Sequence, residues 1–222
     1  MLAEGGFSKL AEGPRLYIRP FVRDDVERMQ AWTPYEDLRF LSYNMPPGSR
    51  RQNDAWFERN VLRSGRQYFA AVRKADGSLI GVISLREIQR ATHPTSARLG
   101  ITLGSEHTGQ GYGTEAMALF LDVFFTHLGF DLMKLDVAAF NGRAIRVYEK
   151  CGFRTVGRFY RSVGGAEYPP RKVGAQGEEV FVRYGGETFT LHYEMELSRE
   201  AWRDQRHAVF RELEARYAPR HG

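Results

Sequence analysis

A glycine-rich turn, "HTGQGYGTEA" at residues 107–116, constrains the fold of this chain more than any other segment. The preceding "ARLGITLG" alternates as a strand does, and the following "TEAMALFLDVFFTHL" repeats apolar residues at helical spacing. Glycines between a strand and a helix permit backbone conformations that other residues disfavour, and the N–H groups at a helix N-terminus bind anions. The segment therefore predicts a phosphate site made of backbone N–H groups.

Two other nucleotide-binding motifs use a comparable turn. A phosphate-loop NTPase needs a lysine and a hydroxyl after its second glycine, where this chain has Gln110 and Gly111, so that motif is excluded. A dinucleotide-binding fold needs Gly-x-Gly-x-x-Ala, which Gly111, Gly113 and Ala116 satisfy, with Asp136 downstream. That fold would continue in alternating strands and helices. Here a hairpin precedes the turn and β-structure follows it, so the dinucleotide fold is the weaker alternative.

The remaining segments predict an α/β fold. "RLYIRPF" alternates as a strand and "RDDVERMQAW" returns to helical spacing, while "RQYFAAVRK" and "LIGVISLREI" flank the hairpin turn "ADGS". Further strands are predicted at "LMKLDVAAF", "RTVGRFYRSV" and "TFTLHYEMEL", and helices at 53–63, at "NGRAIRVYEKCGF" and at 198–217. The glycine-rich stretch 164–187 predicts a β-arm. With 222 residues and 42% hydrophobic content, we expect a single domain with one sizeable core.

Charge and composition limit the function classes. The formal net charge is +5, but 32 Lys and Arg residues are interleaved with 27 Asp and Glu residues along the chain. This distribution favours an arginine-rich surface that attracts a phosphate-bearing ligand, and it argues against a nucleic-acid partner. The chain starts without the pattern of a secretion signal, and its most apolar run is too short to span a membrane. We therefore expect a soluble, cytoplasmic protein without a membrane partner.

The cysteine and histidine content predicts no metal site. Cys151 is the only cysteine, which excludes an internal disulfide and a cysteine-built zinc site. The six histidines lack the spacing of a helical metal motif, so each is interpreted as a surface or internally hydrogen-bonded side chain. Cys151 has no histidine near it in sequence and is interpreted as a small buried side chain rather than a nucleophile.

Two motifs resemble those of the GNAT superfamily of N-acetyltransferases. The family's phosphate turn, Gln/Arg-x-x-Gly-x-Gly/Ala, maps onto residues 108–113, with Thr108 at the position of Gln or Arg. Downstream, "FNGRAIRVYEKCGF" is similar to the second signature, in which an Asn opens a helix and a Tyr-Glu-Lys-x-Gly-Phe segment closes it. The resemblance spans residues 15–197, and within the superfamily it is strongest to the branch of ribosomal-protein alanine acetyltransferases.

The resemblance implies a fold and a reaction. The fold is a GNAT-like mixed, mostly antiparallel central sheet with splayed central strands flanked by helices, to which the β-arm and the C-terminal helix are added. The reaction is direct transfer of acetyl from acetyl-coenzyme A to a primary amine. The implied coenzyme-binding residues are Ile101 and Leu103 through their backbone, Thr108, Gly109, Gln110, Gly111, Tyr112, Gly113 and Thr114 in the turn, and Asn141 at the next helix start. Tyr148 matches the family's general acid, a role that suits a phenol with a pKa of roughly 10.

The base and the acceptor are less constrained. Related sequences often carry a glutamate where this chain has Arg98, so Glu87 and Glu106 are base candidates by position, and proton loss through ordered water is an alternative. The acceptor is expected against the aromatic loop after the first helix and against the β-arm. Its candidate residues are Tyr35, Glu36, Asp37, Tyr43 and Asn44, whose acids favour a cation.

Several functional alternatives stay open at this point. The acceptor is either a small-molecule amine or a protein N-terminus, and the C-terminal helix either closes the core or forms a homodimer interface. The alternative to an enzyme is a catalytically silent coenzyme A binding or regulatory module, which Thr108 and Arg98 motivate because both depart from the family pattern.

Overall fold

Nine strands form one sheet in the computed structural model, which describes residues 8–164 and 177–218. The strands are β1 (Ala11–Glu12), β2 (Leu16–Pro20), β3 (Gln67–Arg73), β4 (Leu79–Gln89), β5 (Ser96–Leu103), β6 (Leu132–Ala138), β7 (Arg154–Ser162), β8 (Phe181–Tyr184) and β9 (Glu187–Ser198). Their order is β1-β2-β3-β4-β5-β6-β9-β7, with β8 paired to β9. Among these strands β5 and β6 pair in parallel and the other pairs are antiparallel, so the predicted mixed sheet is confirmed.

Five α-helices accompany the sheet within the same described ranges. They are α1 (Asp25–Gln30), α2 (Arg50–Phe57), α3 (Tyr112–Asp122), α4 (Gly142–Lys150) and α5 (Arg199–Tyr217). π-helical turns at 58–62 and 123–127 extend α2 and α3, and 3-10 turns lie at Leu38–Tyr43 and Ser105–His107. Ser49 and Gln52 form a capping box at α2, while Asn141 and Ser198 cap α4 and α5 by accepting backbone N–H bonds.

The sheet separates two apolar layers. On one face, α3, α4 and α5 bury large side chains such as Phe120 and Trp202. On the opposite face, α1 and α2 cover a smaller cluster around Val26, and we call this side the α1 face. Because side chains alternate along a strand, Leu99 of β5 and Leu135 of β6 point into the first layer and their sequence neighbours point to the α1 face.

The central strands β5 and β6 diverge within the sheet. Residues 96–99 pair with residues 132–135, and the pairing ends there although β5 continues to Leu103 and β6 to Ala138. On its other edge each strand keeps an antiparallel neighbour, β4 or β9. The predicted splayed strands are confirmed, and the divergence opens the sheet at the carboxyl ends of both strands.

The two predicted additions to the core have different outcomes. The C-terminal helix is confirmed as α5, which buries Trp202, Val209 and Leu213. Of the predicted β-arm at 164–187, β8 and the start of β9 form a hairpin, while residues 165–176 lie outside the described residues. The helix predicted at 53–63 begins earlier, because Ser49 provides its cap. Over residues 8–164 and 177–218, no helix combines the length and the apolar character that crossing a bilayer requires.

Candidate active site

A cleft of about 650 Å³ opens where β5 and β6 diverge. Residues from β3, β4, β5, β6, β7 and β9 line it, together with residues from all five helices, the glycine turn and the loop before α2. The rings of Tyr35, Phe40 and Tyr43 pack together in that loop with 5.7 to 6.0 Å between centroids. The cleft therefore depends on the assembled sheet and not on any single segment.

The predicted phosphate turn borders this cleft. Gly109 and Gly111 have φ angles of 76° and 82°, in the left-handed region that favours glycine. α3 begins at Tyr112 without a side-chain cap, so the first N–H groups of the helix have no partner within it. Gly109, Gly111, Gly113 and Thr114 all line the cleft. Such N–H groups at a helix N-terminus form an anion site.

Arg15 and Tyr217 support the turn from outside. The Arg15 guanidinium donates to the Gln110 carbonyl at 3.0 Å and to the buried Glu115 carboxylate at 2.8 Å. It lies between the rings of Tyr112 and Tyr217, 4.2 and 3.4 Å from their centroids. The Tyr217 hydroxyl, at the end of α5, donates to the Gln110 carbonyl at 3.5 Å. These contacts hold the backbone of the turn in one conformation.

Positive side chains surround the same turn. The Thr108 hydroxyl donates to the Ser105 carbonyl at 2.8 Å and accepts a hydrogen bond from Arg143 of α4 at 3.0 Å. The cations that α4 and α5 contribute to the cleft lining are Arg143, Arg146, Lys150 and Arg216. The turn therefore offers a phosphate both backbone N–H groups and neighbouring positive charge.

The unpaired edge of β5 faces the opening. The Gly104 N–H donates to the Ile80 carbonyl of β4 at 3.2 Å, and the backbone groups of successive strand residues point to opposite edges. Ile101 and Leu103 therefore direct their N–H and C=O groups to the edge from which β6 has diverged. The Tyr35 hydroxyl donates to the Leu103 carbonyl at 3.0 Å, which ties the loop before α2 to this edge.

Tyr148 of α4 lies in the wall of the cleft. It is 7% exposed, and its ring packs on Phe153 with 5.7 Å between centroids. Burial raises the pKa of the Tyr148 phenol well above its ordinary value, so the hydroxyl keeps its proton at physiological pH. Asn141 caps α4 and also lines the cleft. Burial raises the pKa of the neighbouring Cys151 thiol to about 12, which makes it a poor nucleophile.

Comparison with known proteins identifies the family to which this chain belongs. Residues 15–154 match the model of the acetyltransferase (GNAT) domain. The chain belongs to the GNAT acetyltransferase family. The probable N-acetyltransferase YjcK of Bacillus subtilis is 30% identical over 156 residues, which are 67% of this chain and 85% of that protein. The spermidine N(1)-acetyltransferase of Vibrio cholerae is 27% identical over 139 residues, 63% of this chain and 79% of that protein.

Solved structures share this GNAT fold. A GCN5-related N-acetyltransferase from Brucella melitensis superimposes with a TM-score of 0.65 at 21% identity, covering 95% of this chain and 87% of that one. The spermidine N-acetyltransferase of Vibrio cholerae in complex with CoA and spermine gives 0.59 at 22% identity, covering 84% and 97%. The family and its named relatives make this GNAT chain an acetyl-coenzyme A dependent N-acetyltransferase. The ribosomal-protein alanine branch stays a prediction.

The GNAT cleft has the features that acetyl-coenzyme A requires. The turn and its cations suit the phosphates, and the edge of β5 offers N–H and C=O groups to the amides of the pantetheine arm. The predicted coenzyme residues that line the cleft are Ile101, Leu103, Thr108, Gly109, Gly111, Gly113, Thr114 and Asn141. The side chains of Gln110 and Tyr112 instead contact the Glu106 carbonyl and Arg15, so those residues contribute to the turn through their backbone.

Glu87 and Glu106, the predicted bases, do not line the cleft. Glu87 is exposed and pairs with Arg86 at 2.9 Å and with Arg98 at 2.8 Å. Glu106 accepts a hydrogen bond from the Thr33 N–H at 3.2 Å. Both carboxylates serve contacts outside the cleft. In the ranges 8–164 and 177–218 no group of three or more His, Cys, Asp or Glu side chains is placed to hold a metal ion.

The predicted acceptor residues divide into two sets. Tyr35 and Tyr43 line the cleft, whereas Glu36, Asp37 and Asn44 do not. The Asn44 side chain accepts from the Tyr35 N–H at 2.7 Å and donates to the Tyr35 carbonyl at 2.9 Å. Asp37 caps the 3-10 turn that follows it, and Glu36 is exposed. The two acids that were expected to favour a cation therefore lie outside the lining.

His192 of β9 is a functional candidate that the sequence analysis did not single out. It lines the cleft at 9% exposure, and its ring stacks on Phe159 with 5.5 Å between centroids. Its Nδ1 lies 3.0 Å from the Thr190 carbonyl, and since a carbonyl only accepts, Nδ1 carries the proton and Nε2 is the acceptor of the neutral ring. Burial lowers the pKa of the imidazole, which favours that neutral form. In the sequence, the alternation of "TFTLHYEMEL" places this histidine on the polar side of its strand. That position was the one signal that could have marked it as a candidate.

Proposed function

We propose that this enzyme transfers acetyl directly from acetyl-coenzyme A to the primary amine of a small molecule. The proposal rests on one observation: the phosphate turn, the unpaired edge of β5 and Tyr148 all line one cleft of about 650 Å³. That size is typical of sites for small molecules, roughly 300–1,000 Å³. Relatives named for spermidine, a small amine, support a small-molecule acceptor over a protein N-terminus.

The chain's own groups hold the co-substrate at two places. N–H groups at the start of α3 and the cations around Thr108 bind phosphates, and the backbone of Ile101 and Leu103 orients the arm that leads to the thioester. Acetyl-coenzyme A then supplies an acetyl carbon for the amine to attack and a sulfur that leaves as thiolate. The Tyr35 hydroxyl donates to the Leu103 carbonyl and so holds the loop before α2 against this region of the cleft.

His192 is the base in this proposal. An amine attacks only after its ammonium form has lost a proton, and Nε2 of His192 is a neutral acceptor on the cleft wall. The hydrogen bond from Nδ1 to the Thr190 carbonyl fixes the orientation of the ring and stabilises the imidazolium that forms. The predicted glutamates lack this position.

Tyr148 is the donor to the leaving sulfur. Its hydroxyl is protonated throughout the physiological range, so a hydrogen-bond donor is always present when negative charge develops on the sulfur. Because phenolate is disfavoured in this buried place, Tyr148 gives up its proton only to a thiolate formed directly against it. This is the general-acid role that the family resemblance implies.

Binding and turnover test this function in sequence. Calorimetry should show binding of acetyl-coenzyme A and coenzyme A but not of NAD or ATP, and a thiol-release assay should show turnover with at least one primary amine. Tyr148→Phe should lower kcat by about 10²-fold or more without changing acetyl-coenzyme A affinity, because only the donor to the sulfur is lost. Tyr184→Phe, at a tyrosine that is 81% exposed, is the matched control and should turn over as wild type does.

Each other outcome has a distinct meaning. Binding of acetyl-coenzyme A without turnover of any amine would support the silent coenzyme A binding module. Turnover that Tyr148→Phe leaves unchanged would remove Tyr148 from the mechanism. Absence of coenzyme A binding would contradict the function altogether.

A further inference from the structure

A cluster of three arginines lies at the floor of the cleft on the α1 face of the sheet, and two of the three line the cleft. Arg86 of β4, Arg98 of β5 and Arg161 of β7 converge on Asp136 of β6. The Asp136 carboxylate accepts hydrogen bonds from Arg86 at 3.2 Å and from Arg161 at 3.0 Å, and it also pairs with Arg98. Four strands therefore bring three positive charges to one carboxylate, beside the point where β5 and β6 diverge.

Asp136 is the one acidic side chain that lines the cleft among the described residues. It is 6% exposed, and three guanidinium groups already occupy both of its oxygens. Its capacity to accept further hydrogen bonds from an ammonium group is therefore small. A cationic acceptor finds no available carboxylate on this floor.

The three arginines differ in how completely they are neutralised. Arg98 also pairs with Glu87 at 2.8 Å and Glu194 at 3.5 Å, and it does not line the cleft. Arg86 also forms a salt bridge with Glu87. Within the described residues, the Arg161 side chain hydrogen-bonds to Asp136 alone and lies over the Phe159 ring, 5.1 Å from its centroid. The Arg161 side chain is 48% exposed, so several of its N–H donors can reach a ligand in the cleft.

We propose that the acceptor is a primary amine that also carries a carboxylate or phosphate group, which Arg161 and Arg86 bind. This inference rests on the proposed function, because it names the acceptor of the same cleft. A guanidinium group matches the geometry of a carboxylate or a phosphate and forms charge-assisted hydrogen bonds with it. The remaining cations of the lining belong to α4 and α5, and one of them, Arg143, contacts Thr108 in the phosphate turn.

The same floor disfavours a polyamine. A diamine or triamine would bring a second ammonium group against Arg86 and Arg161, and like charges repel strongly in a partly desolvated cleft. The acids Glu36 and Asp37 lie outside the lining and do not offset this repulsion. The acceptor therefore differs in charge from the substrate for which the spermidine N(1)-acetyltransferase relatives are named.

A set of amines matched in chain length tests the proposal. The set ends in a carboxylate, a phosphate, a hydroxyl or a second ammonium group, and kcat/KM is measured by thiol release at saturating acetyl-coenzyme A. An anionic member should exceed the hydroxyl member by about tenfold or more, with the diamine slowest. The better of the carboxylate and phosphate members identifies the anionic group.

Variants locate the origin of this preference. Arg161→Gln and Arg86→Gln should each raise KM for the anionic amine more than KM for the hydroxyl amine, so that the advantage of the anionic amine falls. Arg161→Lys keeps the positive charge but loses the planar guanidinium that can donate two parallel hydrogen bonds. The advantage of the anionic amine should therefore fall less than in Arg161→Gln. Arg203→Gln, at an exposed α5 residue outside the cleft, is the matched control.

Two results would overturn the proposal: a diamine that reacts faster than the anionic amines, or an anion preference that survives in both glutamine variants. Failure of the proposed function itself has a different signature, namely acetyl-coenzyme A binding without turnover of any amine. In that case calorimetry with the carboxylate, phosphate and diamine members, in the presence of coenzyme A, still decides the inference. Binding of an anionic member alone supports it, and binding of the diamine alone, or of no member, contradicts it.

Discussion

Thr108 occupies the position where the phosphate turn of the family carries glutamine or arginine, and Arg143 places a positive charge beside it. The Arg143 guanidinium reaches the Thr108 hydroxyl from α4, at 3.0 Å. The turn therefore receives a cation from a different element and not from its own sequence. Thr108 motivated the silent-module alternative, and this contact weakens that argument.

This contact between Arg143 and Thr108 predicts how two substitutions affect the affinity for acetyl-coenzyme A. Arg143→Gln should raise the Kd for acetyl-coenzyme A about tenfold, because a hydrogen bond to a charged group contributes about 1.5–3 kcal/mol. Thr108→Arg in the same background should restore most of the affinity by returning the charge to the turn. Calorimetry measures both. Wild-type affinity in Arg143→Gln would show that Arg143 does not contribute to phosphate binding.

His192 predicts the acid side of the pH profile. The groups that face it are the Thr190 carbonyl, the Phe159 ring, Arg161 and Asp136, and burial is the main cause of its lowered pKa. A base is active when unprotonated, so kcat/KM should be insensitive to His192 above the ordinary imidazole pKa of about 6.5. Because burial lowers the pKa of His192, the acid limb should lie at a lower pH than that ordinary value. His192→Gln should lose about 10²-fold at neutral pH together with this limb.

Two controls separate this limb from other titrations. The acceptor ammonium produces a limb that moves with the pKa of the chosen amine, whereas the limb of His192 stays in place when a second amine is used. His207→Gln, at an exposed α5 residue, should leave the whole profile unchanged. A profile that keeps its acid limb in His192→Gln would assign proton removal to another group or to water.

At the scale of elements, the last turn of α5 packs against the phosphate turn through one glycine. A Cβ atom on Gly111 would lie 1.9 Å from the Tyr217 hydroxyl, whereas a Cβ atom on Gly109 would meet nothing within 4 Å. Both glycines have left-handed φ angles, so an alanine at either position is strained. At Gly111 a side chain would in addition prevent Tyr217 of α5 from reaching the turn, whereas at Gly109 it would not.

This pair of glycines makes a matched test. Gly109→Ala should lower the free energy of unfolding by about 1–2 kcal/mol, the cost of a left-handed alanine. Gly111→Ala should lower it further and weaken acetyl-coenzyme A binding, because Tyr217 must leave the turn. Urea denaturation and calorimetry measure the two effects. Equal losses in both variants, or a Gly111→Ala defect that Tyr217→Ala does not reduce, would contradict the role of α5.

Local signals predicted most elements, because caps, turns and periodicity act over a few residues. The helix predicted at 198–217 is α5, which Ser198 caps, and the predicted "ADGS" turn joins β3 and β4. The position of β9 between β6 and β7 depends on pairings between residues far apart in sequence, which no local pattern records. The splay of β5 and β6 entered the prediction through the family resemblance alone.

At the scale of the whole molecule, the two halves of the site differ in how far the sequence predicted them. The coenzyme half comes from two continuous segments, 101–114 and 141–148, so their motifs can be recognised directly in the sequence. The proposed acceptor side of the cleft comes from five strands, β4, β5, β6, β7 and β9, and Asp136, Arg161 and His192 meet only after the sheet has formed. Position along the chain therefore suggested Glu87 and Glu106, which the fold places outside the cleft.

Folding also gathers charge that looked dispersed in the sequence. Among described residues, the cations that line the cleft are Arg86, Arg143, Arg146, Lys150, Arg161 and Arg216, and Asp136 is the one acid in that lining. From outside the lining, Glu87 pairs with Arg86, and Glu212 pairs with Lys150 and Arg216. The excess of positive charge thus faces the co-substrate instead of being spread evenly over the surface. Such a cleft concentrates anionic ligands and accelerates their association at low ionic strength.

This charge distribution predicts that salt weakens binding of the phosphate end of the co-substrate more than binding of its pantetheine end. Raising the salt from 0.1 to 1 M shortens the screening length from about 10 Å to about 3 Å, which weakens the attraction between the cleft and the coenzyme phosphates. The Kd for acetyl-coenzyme A should therefore rise about tenfold over this range, whereas that for S-acetylpantetheine, which has no phosphate, should change little. Calorimetric titration of both ligands in the same buffers measures the difference. Equal salt dependence for the two ligands would mean that the lining cations do not act on the phosphates, and the backbone N–H groups of the turn would then account for phosphate binding alone.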